Sequence, residues 1–406
     1  MAPSTTHGRE LWVIVAAATL TVMAGAIVAP VVPQIQRELG VSGTAAGLII
    51  TTHGGVIVLA SPLVGALVDR VGPRRPFVGG LVVYGLGGGA GFVVDGFGPL
   101  LASRVVLGVG TAAVYTAVTV LIYDLYEGQA MERALGYRSS ANSLGAAVWP
   151  LVGGAAGVVA WNVPFGIYLV ALPLGLVAAA TVPETRSTPD GTSEAGGSAE
   201  SRASLSTRLA ATLATFRDRP GLPLVYLLAF GANALLYVVV VFYPQFLPRV
   251  GVSSSLAISL YLAANGAAGG VAAVGYDRLV DRAARSTLVL VALVCWTVGF
   301  ALAAVVETRA GAVVPVVLLG LGVGLVFPST FAWVETFAPA EKTGQFSSYI
   351  ASFGYTGQFL SPLLFGPLVP LVGVRGVFGA AAGVAGVGAL GLGVWAWRRA
   401  SAVADA

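Results

Sequence analysis

The sequence predicts an all-α membrane protein with twelve transmembrane helices, arranged as two six-helix repeats. Of its 406 residues, 56% are hydrophobic and 10% are charged, and the mean hydropathy is +0.86. A soluble globular protein has about 25% charged residues, so this chain cannot cover a water-facing surface of its size. Long apolar stretches follow one another along the chain, and the same short acidic-basic loop occurs in each half.

The apolar stretches account for the twelve predicted helices. A membrane-spanning helix needs about 20 largely apolar residues. The first stretch follows Arg9-Glu10 and has no convincing cleavage site, so we interpret it as a retained helix rather than a signal peptide. The predicted spans are residues 11–33, 44–68, 76–95, 98–123, 135–160, 163–182, 221–247, 255–277, 286–306, 311–334, 345–370 and 376–397.

The distribution of basic residues predicts the orientation, because cytoplasmic loops of membrane proteins are enriched in Lys and Arg. With the N-terminus inside, seventeen of the 22 basic residues fall in inner segments, four in outer loops, and Arg104 within a span. We therefore expect a multi-pass protein of the cytoplasmic membrane with both termini in the cytoplasm. The net charge of +4 follows from this topology and does not indicate nucleic-acid binding.

A polar stretch at residues 183–220 separates the two sets of spans. Its first part is rich in Ser, Gly, Thr and Pro, a composition that cannot bury a core. Its second part places Leu205, Leu209, Leu213 and Phe216 at helical spacing, which predicts an amphipathic helix on the inner leaflet. The chain thus divides into an N-terminal half (1–182), a cytoplasmic linker (183–220) and a C-terminal half (221–406).

An internal repeat relates the two halves. Asp69-Arg70 returns 212 residues later as Asp281-Arg282, in the corresponding loop. At the same offset, Gly145, Pro150 and Gly154 return as Gly357, Pro362 and Gly366. Two halves of the same orientation are typical of transporters built from parallel repeats, which hold their substrate between the halves near the membrane midplane.

Three segments resemble motifs of the major facilitator superfamily. The loop from Gly65 to Arg75 is similar to that family's signature between helices two and three, and residues 101–108 are similar to its fourth-helix motif, whose arginine is Arg104. Residues 145–154 resemble the fifth-helix motif of the drug:proton antiporter branch through Gly145, Pro150, Gly153 and Gly154, which shape a helix interface. Trp149 departs from that motif, which has glycine there. The resemblance implies alternating access, with spans one, four, seven and ten lining the cavity.

Charged residues at the inner ends of the spans predict two gating networks that would hold an outward-facing state. The resemblance implies the same role for the loop of Asp69. The alternative interpretation is ordinary interfacial charge that serves topology and solubility. The first network consists of Asp69, Arg70 and Arg74 with Asp124, and the second of Asp281, Arg282 and Arg285 with Glu335.

Arg104 is a charge inside a span, which costs at least about 2.5–3.5 kcal/mol on insertion scales and normally marks a functional site. Its spacing from Gly108, Thr111 and Tyr115 places all four on one helical face, which predicts a cavity wall. The alternative is that Arg104 extends outward to pair with Asp95.

His53 falls near the middle of span two, and no Asp or Glu lies well inside any span. Imidazole titrates near neutral pH, so proton coupling is assigned to His53, with Asp95 as the next candidate. The alternative interpretation is a histidine that forms a hydrogen bond between helices.

Neutral and aromatic side chains predict the character of the cavity. Rings and amides with little fixed charge suit a sizeable, fairly apolar ligand that is cationic or neutral. Packing between helices is an equally open explanation for each ring. The residues concerned are Asn233 and Tyr237 in span seven and Phe327, Thr330 and Trp333 in span ten.

The function that these patterns favour is secondary active transport, in the form of proton-coupled efflux of hydrophobic or cationic small molecules by a monomer. Uptake or facilitated diffusion of a small metabolite is the alternative, because span one lacks an acidic residue. A non-transporting membrane sensor is a further alternative. The sequence shows no nucleophile with a matching base, so we expect no enzyme. It has only one cysteine, so we also expect no metal site and no cofactor.

Overall fold

The structure, a computed structural model, describes residues 8–185, 214–219, 221–339 and 343–404, with side chains through residue 395 apart from those of 343–345. This part of the chain is helical and contains no strand. Its long helices are α1 (Gly8–Leu39), α2 (Gly43–Val71), α3 (Arg74–Ala90), α4 (Phe97–Leu125), α5 (Gly128–Ala156), α6 (Val163–Thr181), α7 (Gly221–Phe246), α8 (Ser255–Val274), α9 (Arg285–Val305), α10 (Val313–Phe337), α11 (Thr343–Phe365) and α12 (Val369–Ala404).

The predicted fold class is confirmed. Within the described residues, nine segments are long and apolar enough to cross a membrane. The last of them, Phe346–Trp395, spans most of α11 and α12, and α12 is kinked near its start at Gly373. The two other helices are α3, which has 17 residues, and α5, whose first turns carry charged side chains. Each predicted span therefore corresponds to one helix.

Local sequence sets the turns between helices. Ser42 caps α2, since its side chain accepts a hydrogen bond from the Ala45 amide at 3.2 Å. Gly72 ends α2 with a φ of +78°, a conformation that favours glycine. The Glu184 carboxylate lies against this glycine, and the positive φ is the reason that the turn between α2 and α3 needs glycine.

Each half has its own hydrophobic core. The N-terminal core centres on α1, α3, α4 and α6, with buried residues such as Ile14, Tyr84 and Phe165. The C-terminal core centres on α7, α9, α10 and α12, and it also takes in four buried side chains from α1 and α2 of the first half. Those four are Ala29, Val32, Ala46 and Ile50. The halves are therefore separate packing units, and the C-terminal core extends across their boundary at these four residues.

The halves meet through two helix pairs, α2 with α11 and α5 with α8. Small residues permit the close approach: a Cβ at Gly47 would lie 2.8 Å from the Pro362 side chain, and one at Gly154 would lie 2.7 Å from the Ser255 carbonyl oxygen. These contacts lie near the start of α2, the end of α5 and the start of α8. We call this side of the molecule the closed end.

At the other side, which we call the open end, the same helix faces separate. A Cβ at Gly266 would still lie 3.0 Å from the Ala146 carbonyl oxygen of α5. Four residues further along that face of α8, a Cβ at Gly270 would meet no atom within 4 Å. Gly65 of α2, three turns beyond Gly54, is likewise surrounded by open space. The space between the halves therefore opens toward one membrane face.

Part of the linker is described next to the C-terminal half. The Phe216 ring packs edge-on against Tyr226 of α7 and Phe346 of α11, with centroid distances of 5.6 Å and 5.9 Å. Arg219 donates a hydrogen bond to the Phe337 carbonyl oxygen at 3.0 Å. Most of the predicted amphipathic helix, including Leu205, Leu209 and Leu213, lies outside the described residues.

Candidate functional site

His53 lies where α2 meets the second half, and it is 2% exposed. Its Nε2 is 3.1 Å from the amide nitrogen of Gln358 on α11. An amide nitrogen only donates, so Nε2 accepts and the imidazole is neutral in this arrangement. Small residues make room for the ring, because a Cβ at Gly25 of α1 would lie 3.0 Å from its Cε1. Nδ1, which then carries the hydrogen, has no partner among the described residues.

Arg104 is fully buried inside the N-terminal half. Its guanidinium donates to the Gly88 carbonyl oxygen of α3 at 2.7 Å and more weakly to that of Gly87 at 3.3 Å. It also lies over the rings of Phe165 and Tyr168, 4.8 Å and 5.1 Å from their centroids. Carbonyl dipoles and aromatic faces thus replace a carboxylate partner. Asp95, the alternative partner, is exposed in the α3–α4 loop and forms no ion pair with Arg104.

An aromatic pair joins the halves near their centre. The rings of Tyr115 on α4 and Tyr355 on α11 meet at 89° with centroids 5.9 Å apart. The guanidinium of Arg138, on α5, lies 5.2 Å from the Tyr115 centroid. Electrostatic interaction links Tyr355 to Arg138 and to Tyr237 of α7. Four helices from both halves therefore contribute to this group, which we call the tyrosine cluster.

The remaining predicted cavity residues are distributed over several environments. Thr111 is buried, and its hydroxyl donates to the Leu107 carbonyl oxygen of its own helix at 2.7 Å. Asn233 contacts Gly354 of α11, and its amide donates to the Ala229 carbonyl oxygen at 2.9 Å. On α10, Phe327 is half-buried against the C-terminal core, and Thr330 is buried.

Trp333 of α10 lies outside the tyrosine cluster. It lines a small pocket of about 100 Å³ with Leu224 of α7 and with Leu392 and Trp395 of α12. All residues that line this pocket belong to the C-terminal half, so the pocket does not lie between the halves. Trp333 was assigned to the cavity because it follows Thr330 by three residues and so lies close to it on the helix surface. The spacing does not show which neighbouring helix that surface contacts.

The residues of the predicted gating networks lie at the open end. Arg74 donates to the Ala179 carbonyl oxygen of α6, and Asp124 accepts a hydrogen bond from Thr185 at 2.7 Å. In the second half, Asp281, Arg282 and Glu335 are exposed, and no ion pair joins them within the described part of the chain. This is compatible with networks that would form in another conformation, and the gating role remains a prediction.

The predicted packing motif of α5 lies between two partners. Gly153 faces α1, where a Cβ would collide with the Ile27 carbonyl oxygen, and Gly154 faces Ser259 of α8. Gly145 and Pro150 are buried. Trp149, which departs from the motif, donates its indole N–H to the Thr19 carbonyl oxygen of α1 at 3.0 Å. Adjacent glycines of one helix thus serve different contacts, one within a half and one between halves.

Sequence reasoning missed three residues of this central region: Arg138, Tyr355 and Gln358. Arg138 falls within predicted span five (135–160), close to its cytoplasmic end, and was counted with the inner basic residues. Gln358 and Tyr355 lie in span eleven, which the resemblance did not assign to the cavity. Both are polar side chains inside an otherwise apolar stretch, and this feature of the sequence could have identified them as candidate site residues.

A sequence model of the Major Facilitator Superfamily matches residues 14–362 of the chain. The chain belongs to this superfamily. It is accordingly a multi-pass membrane transporter and not an enzyme.

Among characterised superfamily members, the chain is 31% identical over 143 residues to the bacillibactin exporter of Bacillus subtilis, and 34% identical over 142 residues to multidrug resistance protein 1 of the same organism. It is 29% identical over 139 residues to the quinolone resistance protein NorA of Staphylococcus aureus. Each match covers 34% of this chain and 36% of the relative, so the chain spans about a third of the length of these relatives.

Solved superfamily structures share the fold over almost the whole chain. The nucleoside transporter NupG superimposes with a TM-score of 0.77 at 14% identity, covering 95% of this chain and 98% of that one. A bacterial homologue of the human lysosomal transporter Spinster superimposes with a TM-score of 0.77 at 15% identity, covering 98% of both chains. At these identities the likeness concerns the fold alone.

Proposed function

We propose that this transporter exports hydrophobic small molecules from the cell in exchange for protons, by alternating access. The observation that carries the proposal is the shape of the space between the halves. It is closed at one end by α2–α11 and α5–α8, it opens at the other, and the tyrosine cluster and His53 lie along it. A site between halves that meet at one end is what alternating access requires.

The closed end is the extracellular one in this proposal. By sequence, seventeen of the 22 basic residues fall in segments predicted to be cytoplasmic, and described members of this group such as Arg74 and Arg282 lie at the open end. Positive residues favour the cytoplasm. Both termini are then cytoplasmic, and the structure corresponds to an inward-open state of a protein in the cytoplasmic membrane. An exporter loads its substrate in this state.

The relatives support export over uptake. Their names describe an exporter of bacillibactin and proteins of multidrug and quinolone resistance. The cluster of tyrosine rings, with no carboxylate inside the spans, suits an aromatic and largely apolar molecule. A metabolite importer of the sugar type would present more hydrogen-bonding groups.

His53 is the proposed proton carrier. Its neutral Nε2 accepts a hydrogen bond from Gln358, which ties α2 to α11 across the two halves. Protonation at Nε2 removes this acceptor, and it also places a second positive charge within electrostatic reach of Arg104. In the proposed exchange, the proton binds to His53 from outside in the outward-open state, where the contact with Gln358 is broken. It leaves to the cytoplasm in the inward-open state, where the neutral ring accepts the hydrogen bond from Gln358 again and the closed end is re-formed.

Inside-out vesicles from cells that express the protein test the proposal. A panel of fluorescent aromatic compounds is added outside, and a pH gradient, acidic inside, is imposed. We expect accumulation of at least one compound, and its loss when nigericin collapses the gradient. Vesicles that carry His53→Gln serve as the matched control and should exchange substrate without accumulating it. Equilibration without accumulation in the wild type would support facilitated diffusion, and the export proposal would fail.

A further inference from the structure

Arg138 occupies an unusual position for a cation. It lies ten residues into α5 and is half-buried, whereas Arg133, one and a half turns earlier on the same helix, is exposed. α5 packs mainly along α1 and α8. The Arg138 guanidinium nevertheless reaches the Tyr115 ring of α4, at 5.2 Å, and interacts with Tyr355 of α11. It therefore extends into the space between the halves rather than along the surface of its own helix.

The hydrogen-bonding capacity of Arg138 is unused by the described protein. A guanidinium has five N–H donors in a planar fork. No carboxylate of the described residues lies within 4.0 Å of Arg138, and no described acceptor receives a hydrogen bond from it. Arg104 is different, because its Nη2 donates to carbonyl oxygens of α3 and its Nε donates to the Ser103 hydroxyl. The Arg138 guanidinium therefore packs with one face against the Tyr115 ring, and the N–H groups at its edge are available to a ligand.

We propose that Arg138 binds the anionic group of the transported molecule, and that the substrate class is aromatic carboxylates and related aromatic anions. This deepens the proposed export function and rests on it. A carboxylate pairs with the guanidinium edge through two parallel hydrogen bonds. The ring of the same molecule packs against Tyr115 and Tyr355, whose rings are 5.9 Å apart at the centre of the protein.

The inference replaces the cationic part of the sequence-based expectation. A cation in this space would meet Arg138 and would find no counter-charge, since no Asp or Glu lies well inside any span. An aromatic anion finds both a positive partner and ring surfaces. The charge of the substrate is therefore set by one residue on α5, a helix that the family resemblance did not assign to the cavity.

Three probes of one shape and different charge test the inference: 2-naphthoate, 2-naphthamide and 2-naphthylmethylammonium. Their dissociation constants for the purified full-length protein are measured by calorimetry at pH 7.5, in low salt. We expect 2-naphthoate to bind at least about tenfold more tightly than the amide, as a charge-assisted bidentate pair implies. The ammonium compound should bind most weakly of the three.

Two variants identify the residue responsible. Arg138→Gln should reduce the preference for 2-naphthoate over the amide to about twofold or less, and Arg138→Lys should retain part of it, since lysine keeps the charge and loses the fork. Arg133→Gln removes an exposed charge from the same helix and should leave the preference unchanged. Thermal unfolding confirms that each variant is folded.

Several results would overturn the inference. These are equal binding of the anion and the amide, tighter binding of the ammonium compound, no binding of 2-naphthoate by the folded wild type, or an unchanged preference in Arg138→Gln. Binding is measured without a membrane or gradient. A charge preference without gradient-driven accumulation would therefore reject export alone, and accumulation without a charge preference would reject the role of Arg138 alone.

Discussion

Replacing Gly154 with alanine should open the closed end. A Cβ at this position would lie 2.5 Å from the Ser259 Cβ and 2.7 Å from the Ser255 carbonyl oxygen, both on α8 of the other half. Ser255 also donates a hydrogen bond to the Gly154 carbonyl oxygen at 2.8 Å, so the backbones are held together. Overpacking of this kind costs about 1–3 kcal/mol. That cost applies to the docked state alone, so the ratio of outward-open to inward-open molecules should rise roughly 5- to 150-fold.

Spin-label distances measure this ratio. Val159, after α5, and Leu371, in the first turn of α12, lie at the closed end in different halves and are 80% and 77% exposed. Both are replaced with cysteine and labelled in a Cys295→Ser background, because Cys295 is the single native cysteine. We expect a longer distance population to grow in the Gly154→Ala protein.

Two glycines of the same helix serve as controls. A Cβ at Gly136 would meet no atom within 4 Å, so Gly136→Ala should leave the distances unchanged. Gly153→Ala would press against the Ile27 carbonyl oxygen within the N-terminal half, so it should lower the thermal stability of the protein. An unchanged distance distribution in a well-folded Gly154→Ala protein would refute the reasoning that this contact closes the transporter.

Three further predictions concern buried or gating charges. His53→Gln keeps hydrogen bonding without titration, so it should abolish accumulation driven by a pH gradient and preserve counterflow exchange; accumulation that persists would place the proton elsewhere. Arg104→Ala should lower the melting temperature of the protein, because a hydrogen bond to a charged group is worth about 1.5–3 kcal/mol, and Arg104→Lys should restore part of the loss; an unchanged melting temperature would show that Arg104 does not hold α3. Asp69→Asn should shift the protein further toward the inward-open state, and the distance between labels at the open ends of α4 and α10 would report this shift. Identical distances in the variant and the wild type would mean that Asp69 serves only the membrane topology.

The fold was largely predictable from the sequence, because the membrane imposes a simple rule on helix length and polarity. The rule is weakest where a helix extends beyond the apolar layer. α5 begins at Gly128, seven residues before the predicted span, because Glu132 and Arg133 occupy its first turns. Arg138 lies three residues inside the predicted span, but it was counted as a cytoplasmic charge and was not considered as a residue of the cavity.

The site was predictable only in part. His53 was identified because a histidine is rare within an apolar span, and Tyr115 because it shares a helix face with Arg104. Gln358 could not be assigned to His53, since 305 residues separate them and periodicity does not show which helix faces meet. Trp149 was recognised as a departure from a motif, but its hydrogen bond to the Thr19 carbonyl oxygen depends on the packing of α1 against α5.

The shared contact between the halves has a consequence for biosynthesis. Chains are made from the N-terminus, so the first six helices enter the membrane before the last six exist. Ala29, Val32, Ala46 and Ile50 then lack their C-terminal neighbours, but they are apolar and lipid chains can cover them. His53 is different, because its acceptor nitrogen has no partner until Gln358 is synthesised. The nascent first half thus carries an unsatisfied polar group in the bilayer, and the arrival of α11 satisfies it.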